Sequence, residues 1–306
     1  MCDIWKRGPG PEIEPSEYAR LPSSLREINL TGGEPLVRED IDRVIAVLQE
    51  RCPGARIILS TNGLLPSKLT ELLDHTRGIA VRVSVDACGA LHDKIRGVDG
   101  AYDRVMESLR VCKESGIKDV GICATMSKHN VGLVRHIYDL AQSLGVQFSF
   151  TVTHSSDLFF GDKREEEAEP RKAIADMKEI RKRLFRSGRP KDWFKAYFVS
   201  GLIDVVSGNP RPVRCRAGTD FFYMDPQGDF YPCHLWERKM GNILDKPFDQ
   251  IVGDNGPLLD AVGKCRKRCW MTCTVAPEMR RRLVIYSAKV GWAKVMNHVD
   301  TMLGRG

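Results

Sequence analysis

The sequence lacks any run of about 18 apolar residues, so no transmembrane helix is expected. It also lacks the charged-then-apolar leader of a secreted chain, and the cytoplasm is the expected compartment. No internal repeat or low-complexity tract occurs, which sets aside solenoids and compositional linkers. Charge of one sign is scarce as well: the net charge is +7 over 306 residues. Basic clusters at 181–183, 264–268 and 280–282 lack the stacking aromatics that accompany charge on nucleic-acid surfaces. Solvated helix faces are expected there, and no nucleic-acid partner. An acidic substrate or an anionic lipid surface stays open.

What is present fits a globular protein with a sizeable core, at 42% hydrophobic and 28% charged residues. One large barrel with an appendage suits this length better than several small domains. The 10 cysteines are many for a reducing compartment, where thiols more often ligate metals or do chemistry than form disulfides. Half of them, Cys215, Cys233, Cys265, Cys269 and Cys273, fall in one late segment.

Short apolar or β-branched runs at 27–30, 56–60, 80–85, 119–125 and 147–152 predict strands buried on both faces. Between them Ile41, Val44, Ile45 and Leu48, then Val105, Leu109 and Cys112, then Leu133, Ile137 and Leu140 repeat at helical spacing. Such alternation predicts right-handed crossovers and a parallel sheet, open or closed. After the charge run 162–169, Pro170 introduces a helix over 171–185 with Gly188 as its expected C-cap. Two strand-like pieces around 221–224 and 230–231 flank the turn Asp225-Pro226-Gln227-Gly228. The basic tail 278–303 reads as a helix with Leu283, Val284, Trp292 and Val295 as apolar anchors. Packing against the barrel is the preferred role for them, ahead of a membrane surface.

Chemistry concentrates in two places. Thr31-Gly32-Gly33-Glu34-Pro35 follows the first strand, where paired glycines let a ligand approach the backbone at the sheet's C-terminal mouth. A carboxylate fixed there suits an ammonium group, although a plain strand-to-helix turn explains the same residues equally well. The second place is Cys215-x12-Gly228-x4-Cys233 followed by Cys265-x3-Cys269-x3-Cys273, a thiol set that suits zinc or iron–sulfur ligation. Cys52, Cys112 and Cys123 read as core or strand positions. Cys88, Asp86, Asn130, His154 and Asp157 belong to the sheet's mouth or rim.

On these residues the chain resembles the radical S-adenosylmethionine (SAM) superfamily. Gly32-Gly33-Glu34-Pro35 matches the motif that holds the cofactor's methionine amino group, and Met1-Cys2-Asp3-Ile4-Trp5-Lys6 looks like the end of the family's C-x3-C-x2-C loop. Ser60-Thr61-Asn62-Gly63, Ser84-Val85-Asp86 and His92-Asp93-Lys94-Ile95-Arg96-Gly97 follow in the family's order. The resemblance implies an α/β fold: a partial (β/α)6 TIM-like barrel over 1–208, a SPASM/twitch-like domain over 209–277 and a basic amphipathic helix over 278–306. The first barrel strand and two further cluster cysteines are then expected ahead of Met1.

The resemblance also implies a [4Fe–4S] cluster with Cys2 as one ligand and an iron open to SAM. Gly32, Gly33, Glu34, Pro35, Asn62, Ser84, Arg96 and Thr125 are the implied cofactor contacts, with Ser84 near the ribose, Thr125 near the adenosine and Arg96 facing the carboxylate. No catalytic residue beyond these is implied. One auxiliary [4Fe–4S] cluster falls to Cys215, Cys233, Cys269 and Cys273, with Cys265 either spare or displacing one of them. The implied activity is reductive cleavage of SAM to a 5′-deoxyadenosyl radical that takes hydrogen from a small-molecule or peptide substrate. Peptide maturation is one candidate, and flavodoxin or ferredoxin is the implied kind of reductant. The rivals are a non-catalytic iron–sulfur carrier and a structural zinc protein.

Overall fold

The computed structural model describes residues 10–156, 161–211, 213, 215–265 and 269–302, with the backbone alone for 300–302. Strands and helices alternate from the start: β1 Glu27–Leu30, α1 Ile41–Arg51, β2 Arg56–Thr61, α2 Pro66–His75, β3 Ile79–Ser84, α3 Ala90–Arg96, α4 Ala101–Glu114, β4 Val120–Met126, α5 Val134–Ser143 and β5 Gln147–Val152. All five strands are parallel, and their spatial order is their chain order. Right-handed crossovers between sequential neighbours place successive helices on one side of the sheet, the winding of a barrel. The fold is thus α/β, with a five-stranded partial barrel and a small C-terminal domain.

The strands differ from expectation in one respect that matters for the site. Only one face is fully apolar: Ile57, Leu59, Val81, Val83, Ile122, Ala124, Phe148 and Phe150 lie buried beneath the helices. The alternate residues Ser60, Arg82, Ser84, Cys123, Thr125 and Thr151 are only half-buried, and Ser149 is exposed. Because side chains alternate across a strand, this second face is the polar inner wall of the barrel. Its near end carries an ion network, with Asp119 accepting from Arg56 and Arg82 at 2.7 Å each and from Gln147 at 2.9 Å.

Helices α1 and α4 bury the expected stripes. In α5 the buried stripe is Val134, Ile137, Tyr138 and Ala141, so Leu133 and Leu140 flank it rather than form it. Helix α6, Pro170–Arg186, stops without a left-handed glycine: Ser187 turns extended, Gly188 keeps a negative φ, and Pro190 opens α7, Pro190–Val206. This second helix was not anticipated. Its buried residues include Val199, Leu202, Ile203 and Val205, which ring the helix instead of marking one face.

Beyond α7 comes a three-stranded antiparallel sheet of β6 Tyr223–Met224, β7 Asp229–Tyr231 and β8 Gly241–Asn242. In the β6–β7 turn Asp225 Oδ1 accepts from the backbone N–H of Gln227 at 3.0 Å and of Asp229 at 2.9 Å. Gly228 completes the turn at φ +84°, a left-handed conformation that favours glycine. Helices α8 Phe248–Asp254, α9 Gly256–Gly263, α10 Thr272–Arg281 and α11 Leu283–Met302 follow. Phe230, Ile243 and Trp270 belong to the same apolar core as the barrel, so the small domain is docked and not tethered.

The tail corrects a further expectation. Leu283, Val284, Trp292 and Val295 are exposed, while Tyr286 and Val290, on the face opposite Val284, Trp292 and Val295, are buried. Apolar residues lie on both faces of this helix, so periodicity alone does not say which face packs. Among the described residues, no helix is long and apolar enough to cross a membrane.

Candidate functional site

The loop leaving β1 turns on Gly32, whose φ of +141° suits glycine. A Cβ added at Gly32 or Gly33 would meet nothing within 4 Å, so this backbone borders open space. Glu34 is held by three donors. Its Oε1 accepts from Thr61 Oγ1 at 2.7 Å and Leu36 N at 3.2 Å, and its Oε2 accepts from Asn62 N at 2.7 Å. Burial pushes the Glu34 carboxyl above its usual range, while these hydrogen bonds and the nearby Arg96 cation pull it back. Pro35 opens the short 3-10 turn that carries the chain away.

Asn62 at the tip of β2 makes a local turn, its Oδ1 accepting from Leu64 N at 2.8 Å. Gly63 after it has no room for a side chain, since a Cβ would lie 2.8 Å from Val83 Cγ1. At the end of β3, Ser84 lies half-buried on the inner wall, and Asp86 is wholly buried just beyond. Asp86 Oδ2 stands 2.7 Å from Arg96 Nη2, and Asp86 Oδ1 accepts from Thr125 N at 2.8 Å. Asn130 Nδ2 donates to the carbonyls of Asp86 and Thr125 at 2.8 Å each. One carboxylate and one amide therefore tie the ends of β3 and β4 to α3. Arg96 Nε is buried and has no hydrogen-bond acceptor, which leaves a donor for a ligand at the mouth.

At the end of β5, Thr151 Oγ1 and His154 Nε2 are likewise buried without partners. His154 Nδ1 bonds Thr153 O at 2.9 Å, and burial keeps its imidazole below the ordinary pKa. His154 also lies near enough to His234 to help burial push that imidazole down to about 4. The β5 end of the barrel therefore faces the residue next to Cys233. Asp157 and Cys2 lie outside the described residues.

The five late cysteines lie together. Cys215, Cys233, Cys265, Cys269 and Cys273 all line one cavity, walled by Phe221, Leu235, Trp236, Val262 and Met271. The β6–β7 hairpin supplies Cys233, and the segment entering α10 supplies Cys269 and Cys273. Burial pushes the Cys233 thiol up to about 11 and that of Cys273 to about 12, and raises Cys269 as well. Ionising them in this apolar cavity therefore requires a cation or cluster to take up the charge. Arg211, which nothing in the sequence singled out, donates from Nη1 to Cys269 Sγ at 3.0 Å and from Nη2 to the Cys265 carbonyl at 3.2 Å. Among the described residues no three thiols, imidazoles or carboxylates form a ready-made single-ion site. Sulfur donors sharing one apolar cavity fit an iron–sulfur cluster, whose irons each take one thiolate.

Cys52, Cys112 and Cys123 sit in the core or on the inner wall. Cys52 and Cys112 are buried, and burial lifts Cys112 to about 12. Cys123 pairs with Ser149 Oγ at 3.0 Å on the inner wall. Cys88 is exposed.

A sequential parallel half-barrel with a carboxylate-anchored Gly-Gly turn at its mouth, joined to a thiol-lined domain, defines a class, and this chain belongs to the radical SAM superfamily. The Radical SAM superfamily model matches residues 1–144, and the SPASM iron–sulfur cluster-binding domain matches residues 215–274. Similar curated proteins include the Fe-coproporphyrin III synthase of Methanosarcina barkeri, 27% identical over 267 residues (78% of this chain, 64% of that protein). The pre-heme d1 synthase of Dinoroseobacter shibae is 28% identical over 261 residues, covering 75% and 62% of the two chains. A probable GTP 3′,8-cyclase of Saccharolobus islandicus is 30% identical over 231 residues, covering 72% and 71%. The chain spans 64% and 62% of the first two relatives.

Among solved structures, native anSMEcpe with bound AdoMet and Cp18Cys peptide superposes with a TM-score of 0.62 at 16% identity over 89% of this chain and 83% of that one. Streptococcus suis SuiB bound to S-adenosylmethionine gives 0.59 at 16% identity, over 87% and 63%. At such identities the likeness speaks for the fold.

Proposed function

We propose that this chain belongs to a cytoplasmic radical SAM enzyme and is divided into a barrel (1–208), a cluster domain (209–277) and a C-terminal helix (278–306). In this reading Gly32, Gly33, Glu34 and Pro35 hold the methionine end of SAM, and Asn62, Ser84, Arg96 and Thr125 line the rest of the cofactor. Cys2 is a ligand of the SAM-site cluster. Cys215, Cys233, Cys269 and Cys273 hold one auxiliary [4Fe–4S] cluster, with Cys265 spare. When bound, cluster and SAM supply one-electron reductive cleavage and hydrogen-atom abstraction. The residues of the chain orient: Glu34 fixes the Gly-Gly turn, Asp86 fixes Arg96 and the Thr125 backbone, and the apolar cavity keeps water from the thiolates.

The observation that carries the reading is the gathering of five thiols from two distant segments into one apolar cavity. The substrate is a small molecule or a peptide. The peptide-bound anSMEcpe neighbour supports the latter, and the tetrapyrrole and GTP chemistry in the relatives' names supports the former. Flavodoxin or ferredoxin is the proposed reductant.

Anaerobic reconstitution tests the cluster assignment by counting iron and sulfide per chain. Cys269→Ser is expected to lose the auxiliary cluster and Cys265→Ser to keep it. Zinc bound in place of iron would favour the structural-zinc alternative. For the full-length gene product with SAM and dithionite, 5′-deoxyadenosine is the expected product. Its absence, with clusters loaded, would remove the enzymatic reading.

A further inference from the structure

Helix α11 packs by one face and leaves the other bare. Tyr286 and Val290, 5% and 2% exposed, press on the core, with the Tyr286 ring edge-on to Tyr197 at 5.8 Å. Half a turn round the helix, Val284 (84%), Trp292 (68%) and Val295 (55%) face solvent, with Ile285, Met296 and Val299 beside them. Ala288 and Gly291 fill the remaining positions of that face, so it carries no polar side chain. The bare face extends for roughly 25 Å at the helical rise per residue. Its surroundings are predominantly cationic: residues 279–299 include Arg280, Arg281, Arg282, Lys289 and Lys294 and no Asp or Glu. Glu278 pairs with Arg282 and Glu27 with Arg280, which leaves Arg281, Lys289 and Lys294 as the uncompensated charges.

We propose that α11 docks the protein on an anionic membrane surface, lying in the interface plane with Val284, Trp292, Val295 and Val299 immersed. An apolar face with a central Trp, flanked by cations, is the pattern of an interfacial helix. Electrostatics chooses the occupant. A second copy meeting this face about a two-fold axis would set the cationic segment against itself, whereas acidic headgroups complement it. The helix is long enough to span but not apolar enough to cross the bilayer, in keeping with its lysines.

The test is co-flotation of the chain with vesicles of phosphatidylcholine alone and of phosphatidylcholine mixed with phosphatidylglycerol. Partition into the mixed vesicles is expected to be at least about tenfold stronger, and to weaken with salt. Trp292→Glu and Val295→Glu are each expected to lower it at least about tenfold, as is the pair Arg281→Glu with Lys289→Glu. All four positions are exposed, so circular dichroism and the thermal midpoint should be unchanged. No binding to the mixed vesicles, or binding indifferent to Trp292→Glu, overturns the proposal. A lipid-free dimer that Trp292→Glu dissociates would give the face to a second copy and overturn it as well.

Discussion

Gly201 offers a substitution for which local propensity and tertiary packing point in opposite directions. It lies inside α7 with ordinary helical backbone, so alanine there gains about 1 kcal/mol in helix propensity. The space is taken, however. A Cβ at Gly201 would stand 2.1 Å from Cζ2 and 2.2 Å from Cε2 of Trp270. The ring must retreat by more than about 1 Å to restore a normal carbon–carbon separation. Trp270 is fully buried, its Nε1 donates to Phe198 O at 2.7 Å, and its ring lies 5.9 Å from that of Phe198. Overpacking costs about 1–3 kcal/mol and loss of the indole hydrogen bond about 1 more, so Gly201→Ala is expected to destabilise by about 1–3 kcal/mol net. Urea denaturation followed by circular dichroism reads the midpoint. Because Trp270 follows Cys269, faster labelling of that thiol should accompany the shift. Adding Trp270→Leu should recover part of the loss. A Gly201→Ala protein as stable as the parent would refute the close approach of α7 and the cluster loop.

His92 is wholly buried, with Nδ1 accepting from Asp86 N at 3.2 Å; burial first, then the Arg96 cation, holds its pKa below the usual 6.5. The folded state thus binds that proton more weakly than the unfolded chain does. Its stabilising contribution is complete above about pH 6.5 and is lost as pH falls through the folded-state pKa. His92→Asn should flatten the acid side of a plot of thermal midpoint against pH, and an unaltered slope there would contradict this. Arg211→Gln removes a charged donor from Cys269 Sγ. Since donors to a ligand sulfur favour the reduced cluster, the auxiliary centre's midpoint potential in an EPR-monitored titration should become more negative. An unmoved potential at equal iron content would mean that Arg211 only braces the loop.

The strand positions were legible because β-branched runs bounded by turn residues are local signals, and 147–152 matches β5 residue for residue. The polar inner wall is present in the sequence too, as Ser60, Arg82, Ser84, Cys123 and Thr125, but scattered among apolar neighbours it does not break the pattern of strands buried on both faces. The five late thiols were legible because spacing survives folding. Arg211 was not: its role depends on a guanidinium reaching across 58 residues of chain to one sulfur, and no periodicity records that. Helix α7 escaped because a helix buried on several sides has no amphipathic stripe. For α11 the sequence offers apolar residues on both faces, and Val284, Trp292 and Val295 turn out to be exposed.

The motif residues at the mouth divide by what their backbones already do. Thr125 spends its N–H on Asp86 Oδ1 and its carbonyl on Asn130 Nδ2. Asn62 spends its N–H on Glu34 Oε2 and its side-chain oxygen on Leu64 N. Asn62 thus spends its backbone N–H and side-chain oxygen on holding the turn. Thr125 keeps its half-buried side chain on the inner wall, and Arg96 keeps a buried Nε with no acceptor. Buried donors without partners are costly unless something arrives to use them. The mouth is therefore strained toward a ligand at Arg96 and self-sufficient at Asn62. Of the cofactor contacts that the family pattern suggests, these two should respond most differently to substitution.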